Sequence, residues 1–502
     1  MFFLKHINQF RSIPPASLAI VALMASGLII AFNPINFISD DAFFYLIIAK
    51  NLANSHWATF DQVYPANGFH PLWAALLSAW LSFSPSSGSN LITNAATIHV
   101  LLTILTLFTL FMTTLRLNFG TAAALVSLLP VFFLLTVTGV VGSEASISAF
   151  MVSLTLYAIL KFAHQETVLS AIIIGVLIAL TFLARLDNIF FCFALILYYL
   201  INQKFQTLAI SSATAAVFVS PYFLWNFFTF GHMKPISGEL KSSFPQIASS
   251  HVGHTNIVHL ALTTLIILTI LYLFFTRNGK RTIFLTIAAG PVVQYAYHFL
   301  FQTAASWYWY SIVPSIVAGI LAGAVLNDIL NRTSPKRATI LISLTYGLTV
   351  ATLFGCLAMT VQKSFLEKEH HGNRVAREVW ETVPAGERLL VGDMQGRLQF
   401  FGSGPVLCLN GLTDDWVFRS DILSKPISEF VEDQNIGWFL EEEGDPNMRC
   451  RDAGSSVGGT WKRDCVVYYG VSKKIRIPGV LKLSRKEGRF HNGDYTLWKI
   501  LD

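Results

Sequence analysis

The sequence predicts a polytopic α-helical membrane protein of about 11–13 transmembrane helices, ending in a soluble α/β or α+β domain. Three observations predict this. Of 502 residues, 53% are hydrophobic and only 13% charged, with a mean hydropathy of +0.55, too apolar for a soluble chain of this size. Runs of about 18 or more nearly uncharged apolar residues recur along the chain, each long enough to cross a bilayer as a helix. Past residue 361 the composition changes abruptly: more than half of the 35 Lys and Arg, and most of the 29 Asp and Glu, lie in residues 364–502.

The first apolar run, 16–32, follows the basic residues Lys5 and Arg11 and lacks a cleavage site, so it reads as a retained anchor. An external loop, 33–70, comes next. Its first part, 42–54, is apolar at most positions and reads as a helix lying in the membrane interface. The rest is aromatic, proline-bearing and polar by turns, as suits a structured loop at headgroup level. Further spans read at 91–115, 122–141, 146–160, 208–225, 260–275, 283–301, 312–326 and 340–361, with a second external loop at 229–256 and an aromatic turn at 302–310.

The net charge of +6 is spread over short loops and the terminal domain without a basic stripe, which excludes nucleic acid as a partner and reads instead as orientation. Clusters at Arg277, Lys280, Arg281 and at Arg332, Lys336, Arg337 mark cytoplasmic loops. Residues 33–70 then lie outside, and so does the terminal domain. Taking every apolar run as a span gives an even number and returns the terminus to the starting side. One short run, 189–201 or 72–83, is therefore re-entrant, or two are halves of a broken helix. The unit 1–363 reads as the transmembrane domain and 364–502 as an extracytoplasmic domain: a helix at 367–382, then strands at 388–392, 406–409 and 464–469. Cys450 and Cys465 can pair if that domain is outside the cytoplasm, leaving Cys408 single.

Only eight acidic residues precede residue 366: Asp40, Asp41, Asp61, Glu144, Glu166, Asp187, Glu239 and Asp328. Three of them fall in the first external loop. Ionised groups beside hydrocarbon are costly and usually face a cavity, a partner or a substrate path. The plainer account of Asp40 and Asp41 is that they cap the helix that follows them. No Walker A loop, dinucleotide fingerprint, paired zinc motif or nucleophile elbow is present. What is left is acid and base groups at the membrane boundary with cations nearby.

The run SDDAFFYLIIAKNLA (39–53), followed by FDQVYPANGFHPLW (60–73), resembles the first external loop of bacterial GT-C glycosyltransferases. Those membrane enzymes take a sugar from a polyprenyl-phosphate carrier, and the superfamily includes protein mannosyltransferases and cell-wall arabinofuranosyltransferases. VGSEASISAF (141–150), LARLDNIFF (183–191), the loop 221–241 and GDMQGRLQFFGSGPVLCLNGLTDD (392–415) match the looser pattern in order, so the resemblance spans almost the whole chain.

The resemblance implies an inverting transfer to an extracytoplasmic acceptor (a cell-envelope glycan, lipid or protein) at the bacterial cytoplasmic membrane. The double-Asp motif supplies the general base. Asp40 is favoured, with Asp41 orienting the acceptor, and the reverse order stays open. Lys50, His70, Arg185, Lys234 and Lys241 are the candidates for holding the donor phosphate as its charge develops. Tyr45, Asn67, Glu144, Asp414 and Asp415 are candidates for the acceptor or the rest of the substrate. No metal ligands and no cofactor are expected, although a divalent cation stays open because basic residues alone can handle a phosphate. The competing class is a transporter or flippase for a lipid-linked or polar substrate. A carrier predicts internal repeats and ionisable groups deep inside spans; here no repeat is evident and the charges sit at span ends.

Overall fold

The computed structural model describes residues 25–501 except 31, 56, 85–87, 139, 164, 249–256, 276–280, 305–306, 367–368, 445–446, 457–459, 472–474, 487–490 and 493. Most of the anchor 16–32 lies outside these, as do Lys5, Arg11, Arg277 and Lys280. The helices are α1 Asp40–Ser55, α2 Pro71–Phe83, α3 Ser89–Arg116, α4 Thr121–Val137, α5 Ala145–Phe162, α6 Val168–Ala184, α7 Ile189–Ile201 and α8 Phe205–Phe230. Then come the short α9 Ile236–Leu240, followed by α10 Ile257–Phe275, α11 Arg281–Phe301, α12 Ile312–Arg332 and α13 Pro335–Val361.

Seven of these helices are long and apolar enough to cross a membrane: α3, α5, α8 and α10 to α13. α4 and α6, of 17 residues each, run antiparallel between them. The chain is thus a multi-pass membrane protein with two distinguishable ends. At one end, Arg116 lies over the ring of Tyr157, Lys204 pairs with Glu166, and Gly120 N–H donates to Asn327 Oδ1 at 2.9 Å. Arg332, Lys336 and Arg337 belong to this basic end too. At the other end, Trp73 Nε1 donates to the Gly142 carbonyl at 2.8 Å, bringing the start of α2 to the turn between α4 and α5.

The two 13-residue helices behave differently. α2 begins and ends away from the basic end, since α3 must start opposite Arg116, so α2 does not cross. α7 crosses despite its length, running from the break at Arg185–Asn188 down to Lys204. Of these two short helices, then, only α7 runs from one end of the helical unit to the other.

α1 departs from the expected interfacial helix. Phe43, Leu46, Ile48 and Ala49 are fully buried, and Phe43 packs against Phe400 and Phe401 of the terminal region, with ring centroids 4.9 and 5.9 Å apart. The physical reason is compositional: residues 42–49 have no polar face, and a helix apolar all round is driven inside rather than laid on a boundary.

The terminal region begins with α14 His371–Thr382 and carries α15 Gln395–Phe401, α16 Trp416–Ser424 and α17 Ile427–Asp433 around one nine-stranded mixed sheet. Its strands are β1 Arg388–Val391, β2 Val406–Cys408, β3 Ile436–Glu442, β4 Met448–Ser456, β5 Thr460–Tyr469, β6 Ile475–Arg476, β7 Leu481–Lys486, β8 His491–Asn492 and β9 Tyr495–Ile500. β1 pairs parallel with β2 and β3; the remaining pairings are antiparallel, in the order β2-β1-β3-β9-β7-β5-β4 with β6 on β5 and β8 on β9. Cys450 on β4 and Cys465 on β5 form a disulfide, and Cys408 is a buried free thiol.

Candidate active site

Between the cavity-side ends of the spans and the terminal region lies a cavity of about 610 Å³. Its floor comes from breaks between helices, where the chain must leave a helix and polar residues are tolerated. Arg185 sits at such a break, between α6 and α7. Its Nη1 donates to Glu144 Oε1 at 2.5 Å, its Nε donates to Asp187 Oδ1 at 2.7 Å, and its guanidinium lies 4.3 Å from the centre of the Tyr310 ring. Two carboxylates and an aromatic face thus hold one buried cation rigidly in the wall.

His70, which caps α2, accepts the Leu186 N–H on Nδ1 at 3.2 Å, so the proton of its neutral ring is on Nε2, 3.8 Å from Glu144. Its backbone N–H donates to Tyr45 Oη at 3.3 Å. Burial is the main reason its pKa falls to about 4, with Arg185 and Lys241 adding to the drop. His70 is therefore a neutral hydrogen-bond donor at physiological pH.

Asp41, on the first turn of α1, lines the cavity directly. Desolvation pushes its carboxyl up to about 6, reinforced by Asp40 and Glu144 and opposed by Lys241. Lys241, just after α9, lines the same space. Among the described residues its ammonium has no ion pair within 4 Å, yet its pKa is raised: burial works against the charge, and Tyr310, Asp41 and Glu144 more than offset that. Lys241 thus presents a charged ammonium to the cavity, where it is suited to an anion. Lys234 also borders the cavity but pairs with Glu239 at 3.0 Å.

Several expected site residues are elsewhere. Asp40 does not line the cavity. Its carboxylate accepts from the backbone N–H groups of Gly396 at 3.1 Å and Arg397 at 2.9 Å, and from Arg397 Nη1 at 3.2 Å. Adjacent residues on a helix point about 100° apart, so only one of the pair can face the cavity. Of the pair, Asp41 is the one that borders the cavity, and Asp40 joins α1 to α15. A Cβ at Gly396 would stand 2.4 Å from the Asp40 carbonyl oxygen, so this approach of α15 to α1 needs glycine.

Lys50 is exposed at the far end of α1 and does not line the cavity. Asn67 is a stitch: its Nδ2 donates to Asn226 Oδ1 at 3.0 Å and its Oδ1 accepts from Ile236 N–H at 3.2 Å, tying the first loop to the second. Asp414 and Asp415 are buried beside the cavity wall rather than in it. Asp415 caps α16 by accepting from Phe418 N–H at 2.8 Å. Burial first, then nearby carboxyls, raise Asp414 well above the carboxylate range, while burial carries Asp61 up to about 6 and Asp415 to about 7.

Residues that sequence reasoning missed complete the wall: Tyr297, His298 and Tyr310 from the membrane side, and Gln395, Leu412 and Thr413 from the terminal region. His298 sits inside an apolar run and reads as packing. Tyr310 is part of an aromatic turn that reads as an interfacial anchor. Gln395 lies in the segment 392–415 that matches the looser family pattern, but nothing in that match singles it out. Among the described residues no group of three or more His, Cys, Asp or Glu is placed to hold a metal ion.

Among solved structures the chain resembles ArnT from Cupriavidus metallidurans in the apo state, with a TM-score of 0.61. The alignment covers 88% of this chain and 96% of that one, at 14% sequence identity, a likeness of fold. No family model and no curated protein matches the chain.

Proposed function

Taking the GT-C fold as premise, we propose that this chain is a membrane glycosyltransferase that moves a sugar from a polyprenyl-phosphate carrier to an acceptor hydroxyl, with inversion at the anomeric carbon. Residues 1–363 form the transfer unit, and 364–502 close it over the acceptor. The observation that carries the reading is one cavity lined by both a carboxyl suited to acid–base work, Asp41, and an ammonium suited to an anion, Lys241.

In the reaction, ionised Asp41 takes the acceptor hydroxyl proton as the acceptor oxygen bonds to the anomeric carbon. The bond from that carbon to the carrier phosphate oxygen breaks on the opposite face, and the electron pair leaves on the phosphate. The carrier phosphate gains a charge, which Lys241 and the pre-aligned Arg185 stabilise more in the transition state than in the ground state. His70 donates from Nε2 to the same group or to the sugar.

The cavity faces the extracytoplasmic side of a bacterial cytoplasmic membrane. The basic helix ends, which mark the cytoplasmic face, lie opposite it, and the Cys450–Cys465 disulfide suits an oxidising compartment.

The test is transfer in proteoliposomes from a radiolabelled polyprenyl-phosphate sugar. Asp41→Asn should lose transfer by about 10²- to 10⁴-fold. Lys241→Met should lower kcat/KM for the donor by about 10- to 100-fold. Movement of intact labelled donor across the bilayer without sugar release would instead identify a flippase and refute the proposal.

A further inference from the structure

Gln395 is 5% exposed, at the first position of α15, and borders the cavity. Its carbonyl is spoken for: Oε1 accepts from Asn410 Nδ2 at 3.2 Å. Asn410 is itself fixed, since Nδ2 also reaches Asp393 Oδ1 at 3.3 Å and its Oδ1 accepts from Leu412 N–H at 2.9 Å. Asp393 Oδ1 in turn accepts from the N–H of Met394, whose φ of +60° turns the chain sharply into α15. The amide group of Gln395 is therefore oriented from behind. Its Nε2 has no hydrogen-bond partner among the described residues.

Its position relative to the reacting groups is also fixed. The contact between Asp40 and the N–H groups of Gly396 and Arg397 joins α1 to α15. One residue away from that contact on either chain segment stand Asp41 and Gln395, and both border the cavity. The cations lie on the membrane side of the same space, on the α6–α7 break and the α9 loop, whereas Gln395 comes from the terminal region. A neutral donor so placed is suited to a neutral oxygen, and a phosphate would be held by the cations.

Resting on the transfer reading above, we infer that Gln395 is a positioning residue for the acceptor: its Nε2–H donates to an oxygen of a hydroxyl-bearing acceptor and holds the reacting hydroxyl against Asp41. The terminal region is then part of the substrate site and selects on the acceptor side.

The test uses the full chain in proteoliposomes with a radiolabelled undecaprenyl-phosphate sugar that the wild type turns over. Detergent-extracted cell-envelope material, titrated over about a hundredfold range, serves as acceptor. Gln395→Met keeps the length of the side chain without the donor, and Gln395→Glu keeps an oxygen for Asn410 while removing the donor. Loss of one neutral hydrogen bond predicts an acceptor KM raised about 3- to 10-fold in both, with donor KM within about twofold of wild type. Asp41→Asn runs alongside. If donor KM moves and acceptor KM does not, or if neither moves while Asp41→Asn abolishes transfer, the acceptor role of Gln395 is refuted and the transfer reading stands. If Asp41→Asn turns over normally, the transfer reading fails, and this inference fails with it.

Discussion

Changing each aspartate of the pair separately to asparagine should divide docking from chemistry. Asp40 accepts three hydrogen bonds, two from backbone N–H groups and one from Arg397, with the two side chains 21% and 8% exposed. Asparagine keeps one acceptor oxygen but loses the charge-assisted bond, and it presents an NH₂ to a backbone N–H. That should cost about 2–3 kcal/mol, or a fall in unfolding temperature of roughly 5–10 °C for a unit of this size. Turnover below that temperature should fall only a fewfold. Asp41→Asn loses a proton acceptor, about 3–5 kcal/mol of barrier, and should leave the unfolding temperature unchanged or slightly raised, because it removes a buried acid. The measurements are transfer in proteoliposomes and thermal unfolding followed by intrinsic fluorescence. Loss of turnover in Asp40→Asn at unchanged stability, together with retained turnover in Asp41→Asn, would refute the division of roles.

Other outcomes follow from the same structure. Transfer should rise with pH through about 6, because Asp41 acts only when ionised and burial holds its carboxyl up to about 6; a rate flat between pH 5 and 7.5 would exclude it as the base. Stability should show the opposite slope. Asp61 and Asp415 are raised to about 6 and about 7, so the folded state keeps protons that the unfolded state has released, and stability present near pH 4 is lost as pH rises through 6 to 7. Because His70, lowered to about 4, contributes the other sign, the reading is a difference: the unfolding temperature of wild type minus that of Asp415→Asn, in detergent, should fall from pH 5 to pH 8, and a difference that rises would contradict it. Gly396→Ala should force α15 away from α1, since its Cβ would stand 2.4 Å from a backbone oxygen; protease nicking of the junction should increase, while the spans stay folded.

Much of this arrangement was legible in the residues. Apolar runs set the spans because length and hydropathy alone decide bilayer crossing, and the breaks at Glu144 and Arg185 marked the cavity because charge is tolerated there. The pair at Asp40 and Asp41 stood out by rarity. Which of the two faces the cavity was not legible, because that rotation is set by where α15 packs, more than 350 residues away in sequence. Lys50 looked like a candidate by proximity in sequence, yet nine positions along a helix carry it about 13 Å from Asp41. His298, and the role of Gln395 within its matched segment, were not legible for a related reason: each acquires meaning only from the surface opposite it.

The brevity of α7 has a consequence for the lipid. Thirteen helical residues cover about 20 Å, whereas hydrocarbon is about 30 Å thick, and α7 still reaches from the Arg185 break to the basic end. With its basic end at the hydrocarbon boundary, α7 by itself would leave the Arg185 break roughly 10 Å short of the opposite headgroups. A carrier must pull its phosphate down out of the plane of its neighbours, or the bilayer must dimple to meet the protein, so turnover should respond to acyl-chain length in the host membrane.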